Sequence, residues 1–522
     1  MAGRSRLVNL DAMIRRADFA LVDGEIVSSF DALSMITLRD LAPGSLLPAS
    51  LRKPDFQRET NHWAPEQVVS LLQCFVNGDL IPSVILWRSP TYLYVIDGGH
   101  RLSVLKAWIE DDYGDGPISQ PFFGHAISDE QRKAAKRTRD LVKDQVGTWQ
   151  HYMRMQSQEL SEAELRKINS IVTRGLPVQW VQGNAEKAEA SFFKINTSGT
   201  PLDEIEELLL SNRRKPIPIA ARAIIRAGMG HKYWSSFAES DSENIESIAR
   251  DVHLALFEPE LNAPVKTLDL PLGGSKGVRT AMQVLLDFIL IANRNQLGLP
   301  KNVGDQDEDT NGSATVHALK RTLALVNRMT GNDKGSLGLH PAIYFYGPTG
   351  RHVGPLFMGT ASLFASKLAN NDQSFFPKFS RIREKLENLL IVHKDLIATI
   401  LQKSISRHRV SEYSSLLDSV IQKLDSGHEV SEEDMVTFAN LNGKIIVGEK
   451  TTTSQTFSDD VKSAAFIKSA LQHALKCPIC GGYLDPNKSV SYDHTKRKQD
   501  GGLGTLENCQ LTHPYCNQSV KN

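Results

Sequence analysis

The chain has 522 residues, of which 41% are hydrophobic and 23% charged, a composition that argues against a disordered or fibrous protein and for about three globular domains. Its 60 basic and 60 acidic residues cancel, so contact with nucleic acid has to come from local patches rather than from a global field. Five cysteines, an odd number clustered at one end, argue against a disulfide framework.

The first residues, Met1 to Arg16, carry Asp11 and scattered arginines without an apolar run, so no secretory signal is expected. Further on, the greasiest stretch, Val284 to Ala292, is interrupted by Asp287 and falls short of the ~18 apolar residues of a spanning helix. The expected location is cytoplasmic, with no membrane partner.

From about Leu47 the pattern is mixed. A helix is predicted after the His62–Pro65 turn, with Val68, Val69, Leu72 and Phe75 on its apolar side. Strands follow at Ser83–Trp87 and Leu93–Ile96. The second ends abruptly at Asp97-Gly98-Gly99, and a helix over Arg101–Ile109 comes at once, an α/β succession. Residues 125–190 are charged and helix-prone. Helical periodicity then dominates, over Arg279–Ile291, Ala318–Met329, Phe379–Leu401 and Glu412–Leu424. The expected division is an extension at 1–29, an α/β domain at 30–210, a helical domain at 211–447, a linker at 448–460 and a terminal module at 461–522.

Two segments of the α/β domain carry candidate chemistry: Lys53 to Trp63 (KPDFQRETNHW) and Tyr94 to Leu102 (YVIDGGHRL). A strand that ends in Asp-Gly-Gly and passes straight into a helix exposes backbone N–H groups, and an arginine in the first turn offers a fork for phosphate. Gln57 and Arg58 would add donors if the fold brings the first segment alongside. By spacing alone this is weak, since a glycine turn beside an arginine is more often only a tight connection. Two other features are given structural readings: Gly273 to Gly277 (GGSKG) lacks the phosphate-loop frame, and Tyr344 to Arg351 (YFYGPTGR) reads as a buried edge followed by a tight turn.

The last 46 residues hold four of the five cysteines. Cys477-x-x-Cys480 with His513-x-x-Cys516 has the paired spacing of a structural zinc site, worth ~10–16 kcal/mol of apparent binding energy to a segment with almost no core. Cys509 has the wrong spacing to Cys516 for a knuckle and is left out. Inside the metal-closed loop lie Asp493-His494, Gly501-Gly502 and Asn508, and Asn517 follows its last ligand directly. The run Lys496-Arg497-Lys498 follows the histidine at once. From Lys476 onward six Lys/Arg oppose four Asp/Glu, a local excess of two positive charges. Such a run is usually only a solvated face; beside this histidine it becomes a candidate contact for DNA phosphates.

In their order, these C-terminal elements resemble the HNH endonuclease motif of the ββα-metal fold. The resemblance implies that His494 acts as general base, that Asp493 and Asn517 ligate a catalytic Mg²⁺ or Mn²⁺, that Asn508 braces the catalytic loop, and that Zn²⁺ is the structural ion. His513 stands where the zinc-binding subgroup usually has cysteine. The two N-terminal segments, with Phe193 to Leu202 (FKINTSGTPL), resemble the GmrSD-type, ParB-related N-terminal domain named for an Asp-Gly-Gln-Gln-Arg motif. Here Gly99 and His100 stand in place of the two glutamines, while Asp97, Gly98 and Arg101 match. That likeness implies a site for GTP, ATP or CTP involving Gln57, Arg58, Asp97, Gly98, Gly99, His100, Arg101 and Asn196; the lost glutamines put hydrolysis in more doubt than binding.

The expected architecture is thus α+β and multidomain: a ParB-like α/β domain, a helical middle and a zinc-stapled ββα-metal module. The expected function is a metal-dependent DNA endonuclease under nucleotide control, of the prokaryotic restriction or anti-phage type, acting on phage or modified DNA. The rival reading is a nucleotide-dependent DNA-binding regulator whose zinc module cuts nothing. A nuclease with one active site often needs two copies to break both strands, which makes a homo-oligomer one form to expect.

Overall fold

The structure, a computed structural model, describes residues 7–19, 33–57, 59–61, 63–124, 127–155, 160–198, 204–275, 278–294, 302–372, 374–443 and 455–520. It divides into two compact units, residues 1–214 with 229–236, and residues 215–228 with 237–522.

The first unit is built on a six-stranded mixed sheet. Its strands are β1 (Arg16–Ala17), β2 (Met35–Thr37), β3 (Leu51–Pro54), β4 (Val84–Arg88), β5 (Leu93–Asp97) and β6 (Gly175–Trp180), in the order β1-β3-β5-β4-β6-β2. β4 and β5 form an antiparallel hairpin, whereas β3 runs parallel to β5 and β6 parallel to β4. Alternation along β5 sends its side chains to opposite faces. Val95 joins a core with Leu72 and Phe75 of the helix Pro65–Asn77 and Leu102 and Leu105 of the helix Gly99–Glu110. Tyr94 and Ile96 pack on the other face with Phe19, Phe56, Trp87 and Phe192. The strand-to-helix junction depends on Gly98, whose φ of +92° is left-handed and whose added Cβ would lie 3.0 Å from Val84.

Behind this junction, Asp112 closes the turn after the helix. Its carboxylate is fully buried and accepts from the N–H groups of Gly114, Gly116, Ile118 and Ser119 and from the Ser119 hydroxyl, at 2.7–3.0 Å. Burial alone would raise its pKa, but the hydrogen bonds, led by the Ser119 hydroxyl, outweigh burial and hold it below the usual carboxylate range. The ionised form is therefore the one that stabilises the fold. That contribution is complete above the unfolded carboxylate pKa of about 3.9 and fades as pH falls through the lower folded value. We expect Asp112→Asn to cost roughly 1.5–3 kcal/mol at neutral pH, with the gap to the parent narrowing below about pH 4, as followed by urea denaturation at each pH.

The second unit is mostly helical. The helix Pro216–Ile225 is buried at every residue and is packed by the helices Glu239–Phe257, Val278–Ala292 and Ser313–Met329. One sequence-based helix is corrected: Phe379–Leu401 is not continuous. The chain forms Phe375–Val392 and Lys394–Lys403, broken at His393 with φ −101° and ψ 24°. The break turns Val392 out to solvent while Leu396, Ile397, Ile400 and Leu401 stay buried, and it lets Lys394 Nζ donate to the carbonyls of Ala342 and Tyr346. Tyr344 and Tyr346 are fully buried, and a turn at 347–350 follows them.

The terminal module lies in this same unit. The helix Asp459–Leu471 is followed by the antiparallel hairpin of β7 (Ser491–His494) and β8 (Cys509–Thr512), then by one π-helical turn, Cys516–Val520. The expected linker at 448–460 falls largely outside the described residues. Among the described residues, no helix is long and apolar enough to cross a membrane.

Candidate active site and metal centre

The knuckle at Cys477–Cys480 is closed by a tight turn, in which Cys477 N donates to the Gly482 carbonyl at 2.8 Å and Gly481 N to the Cys477 carbonyl at 2.9 Å. It brings one ligand atom from each of Cys477, Cys480, His513 and Cys516 within 4.8 Å of one another. The His513 Nε2 sits 3.0 Å from the Tyr483 carbonyl. A carbonyl can only accept, so Nε2 carries the proton and the lone pair is on Nδ1, which faces Cys480 Sγ at 3.3 Å and Cys516 Sγ at 3.9 Å. Three thiols this close cannot all ionise unaided. Hydrogen bonds from Cys480 and Cys516 pull the Cys477 thiol far down, and the same contacts push Cys480 up to about 12 and Cys516 higher still. A soft-ligand divalent ion such as Zn²⁺ is what allows three thiolates and a neutral imidazole to coexist, and the donor set fits it. Cys509, exposed at the start of β8, stands outside the set.

The candidate catalytic residues lie on the hairpin that this knuckle anchors. Across it, Asp493 pairs with Gln510 and His494 with Cys509. Asp493 is only 9% exposed, and one of its carboxylate oxygens is held by Gln510 Nε2 at 2.8 Å. Asn517, on the π-helical turn, donates from Nδ2 to Ser491 Oγ at 2.7 Å and to the Tyr492 carbonyl at 3.3 Å. Those contacts fix the Asn517 amide against the hairpin that carries Asp493. A carboxylate and an amide oxygen are donors suited to a hard cation.

Asn508 latches the loop that leaves His494. Its Oδ1 accepts from Lys496 N at 2.7 Å, its Nδ2 donates to the carbonyls of Leu503 at 2.7 Å and Lys496 at 3.2 Å, and its own carbonyl accepts from Thr495 N at 2.9 Å. Gly502 is required inside this loop, because a Cβ there would strike the Lys496 carbonyl at 1.9 Å. Lys496, Arg497 and Lys498 are all exposed along it.

The module is not a free finger. Arg383 and Glu387, one turn apart on the helix Phe375–Val392, form a fully buried ion pair at 2.7 Å. Arg383 also donates to the carbonyls of Leu337 and Gly338, and Tyr344 Oη donates to Glu387 at 2.9 Å. The second Glu387 oxygen accepts from Tyr483 N at 2.6 Å, on the residue whose carbonyl orients His513. Ser489 Oγ reaches the Gly331 carbonyl at 2.6 Å, and Tyr515 N donates to the Ser336 carbonyl at 2.9 Å. Sequence reasoning missed Arg383, Glu387 and Gln510. A pair four apart on a helix looks like an ordinary solvated pair, and Gln510 carries no motif.

In the first unit, the structure brings the two motif segments together. A Cβ on Gly99 would lie 3.3 Å from the Gln57 side chain, so glycine permits the close approach, and Gln57 is itself buried. Arg101 Nη2 donates to Asp97 at 2.7 Å and to the Ser83 carbonyl at 2.9 Å, so its fork is turned onto the protein. His100 stacks on Trp63 at a centroid distance of 5.4 Å. Arg58 lies outside the described residues. Asn196 falls in the helix Ala185–Ser198, but its side chain is likewise outside them. A further set, not foreseen, supports the Gln57 segment: buried Asp11 holds Lys53 Nζ at 2.6 Å and Arg16 at 2.8 Å, and Arg16 donates to the Gln57 carbonyl. Burial lowers the Lys53 pKa to about 8, against the pull of Asp11.

Comparison with known families matches both ends. The family model for the GmrSD restriction endonuclease N-terminal domain fits residues 44–213, and that for the HNH endonuclease fits residues 477–522. No curated protein and no solved structure matches the chain. The chain therefore carries a GmrSD-type N-terminal domain and a C-terminal HNH endonuclease domain, a pairing that supports a DNA endonuclease of the restriction type.

Proposed function

We propose that the chain hydrolyses DNA phosphodiesters at the Asp493–His494 hairpin, and that nucleotide binding by the GmrSD domain governs when it does so. The observation that supports this most is the Asn508 latch, which ties the loop after His494 back to the hairpin and so limits the drift of the imidazole. In this reading His494 removes a proton from the attacking water. Asp493 and Asn517 hold Mg²⁺ or Mn²⁺, an ion that supplies charge stabilisation at the phosphate when bound. Cys477, Cys480, His513 and Cys516 hold Zn²⁺, which fixes the hairpin. Lys496, Arg497 and Lys498 contact DNA phosphates.

In the GmrSD domain, the phosphates of GTP, ATP or CTP would compete with Asp97 for Arg101. That exchange makes the Asp97–Arg101 pair a two-state element, closed on itself or opened onto nucleotide, beside Gln57, Gly98, Gly99 and His100. The biological target in this reading is phage or modified foreign DNA, met in the cytoplasm.

The test is incubation of zinc-replete protein with supercoiled plasmid and Mg²⁺ or Mn²⁺, with each nucleotide and without. Conversion to open-circular or linear DNA that depends on the divalent ion is the expected outcome, with a rate that changes on adding nucleotide. No conversion under any of these conditions would overturn the nuclease assignment, and cutting indifferent to every nucleotide would overturn the control.

A further inference from the structure

Three large apolar side chains on the nuclease module are turned out to solvent: Tyr492 is 74%, Leu503 71% and Leu506 85% exposed. Single exposed leucines are ordinary on protein surfaces. These are grouped. Tyr492 and His494 are two apart in β7 and so share a face of the strand. Leu503 and Leu506 belong to the loop that begins at His494 and also carries Lys496, Arg497 and Lys498.

Hydrogen bonds make that loop one body. Asn508 bonds both to Lys496 and to the Leu503 carbonyl, and Gly502 N donates to the Arg497 carbonyl at 2.9 Å. The basic residues and the leucines are thus presented together by a backbone that cannot separate them without breaking the Asn508 latch.

We propose that Leu503 and Leu506 form an apolar wedge that enters duplex DNA between base pairs beside the scissile phosphate, while Lys496 to Lys498 hold the phosphates on either side. The inference rests on the DNA endonuclease reading and assigns that site a means of deforming its substrate. Apolar side chains inserted at a base step unstack it and kink the duplex, a cost offset by the surface that the bent DNA then covers. A kink at the cut site would open the backbone toward His494. Charge favours the occupant: Lys496, Arg497 and Lys498 are consecutive and exposed, and against Asp500 and Glu507 they leave the loop a net positive charge, which suits a polyanion.

The wedge predicts unwinding, which phosphate contacts alone do not. Wild-type protein is bound to closed-circular plasmid without added divalent ion, relaxed with a metal-independent topoisomerase, and the topoisomer distribution is read after deproteinisation. Binding to linear duplex is measured in parallel across a range of salt. Wild type is expected to shift the distribution. Leu503→Ser/Leu506→Ser is expected to abolish the shift and bind roughly tenfold more weakly with an unchanged salt slope. Lys496→Ala/Arg497→Ala/Lys498→Ala is expected to flatten that slope by about 0.9 for each phosphate left without a cation. Both leucines are exposed, so the double variant should keep the parental melting temperature. A wild type that binds and cuts plasmid without unwinding it overturns the wedge and leaves the nuclease standing, as does a double variant that unwinds like the parent. A wild type that neither binds nor cuts DNA overturns the nuclease reading itself.

Discussion

His494→Ala is expected to slow plasmid cleavage by ~10²–10⁴-fold, the usual contribution of a positioned general base. The size of the effect follows from where the residue sits. Its strand is paired to β8, and the loop beyond it is latched by Asn508, which holds the backbone on both sides of the imidazole. His494 is only half-buried and takes no part in the Cys477–Cys480–His513–Cys516 set, so zinc content and melting temperature should stay at the parental values. DNA binding should also survive, because Lys496 to Lys498 are untouched. Cleavage by the variant within tenfold of the parent, at equal zinc content, would remove His494 from the chemistry and leave Asp493 and Asn517 as parts of a binding site only.

Glu387→Gln should be the most damaging conservative change outside the hairpin. The carboxylate accepts from Arg383 and Tyr344 with one oxygen and from Tyr483 N with the other, all in a fully buried setting. Removing its charge leaves the Arg383 guanidinium buried without a counter-ion, which costs roughly 3–5 kcal/mol. The amide must also turn a donor toward either Arg383 or Tyr483, neither of which can accept there. Because the Tyr483 carbonyl fixes the His513 tautomer, the loss should reach the metal centre. We expect unfolding at lower urea and faster transfer of zinc to a colorimetric chelator under native conditions. Arg383→Met/Glu387→Leu removes both charges together and should recover part of the stability, as buried pairs replaced by apolar residues commonly do. Parental urea midpoint and zinc retention in Glu387→Gln would show that the knuckle does not depend on this network.

The two readouts separate two roles within one module. His494→Ala is expected to change the reaction and leave the scaffold alone, whereas Glu387→Gln is expected to change the scaffold, and the reaction only through it. Cys509, paired with His494 across the hairpin, is exposed and stands outside the metal-ligand set.

Much of the site was legible in the chain because its determinants are local. Metal-ligand spacing at Cys477–Cys480 and His513–Cys516 is set by the tight turn that each pair spans. The Asp97-Gly98-Gly99 junction announced itself because only glycine accepts the left-handed backbone at 98 and the approach of Gln57 at 99. Periodicity found the helices but not the break at His393, since apolar residues keep three- and four-residue spacing on both sides of it.

What the amino-acid order made legible by itself was a set of candidates held within a few tens of residues: the Cys/His metal-ligand set, the Asp493–His494 pair, Asn508 and the basic run. Tertiary structure alone decided which of these are supported, and by what. Arg383 and Glu387 lie about a hundred residues before the knuckle they hold, and Asp11 lies some forty before the Lys53 it neutralises. The physical reason is that a buried charge is marked by its surroundings and not by its neighbours in sequence. An Arg and a Glu four apart read as a solvated pair until the fold removes the water, and only then do they become the joint between a helical body and its nuclease.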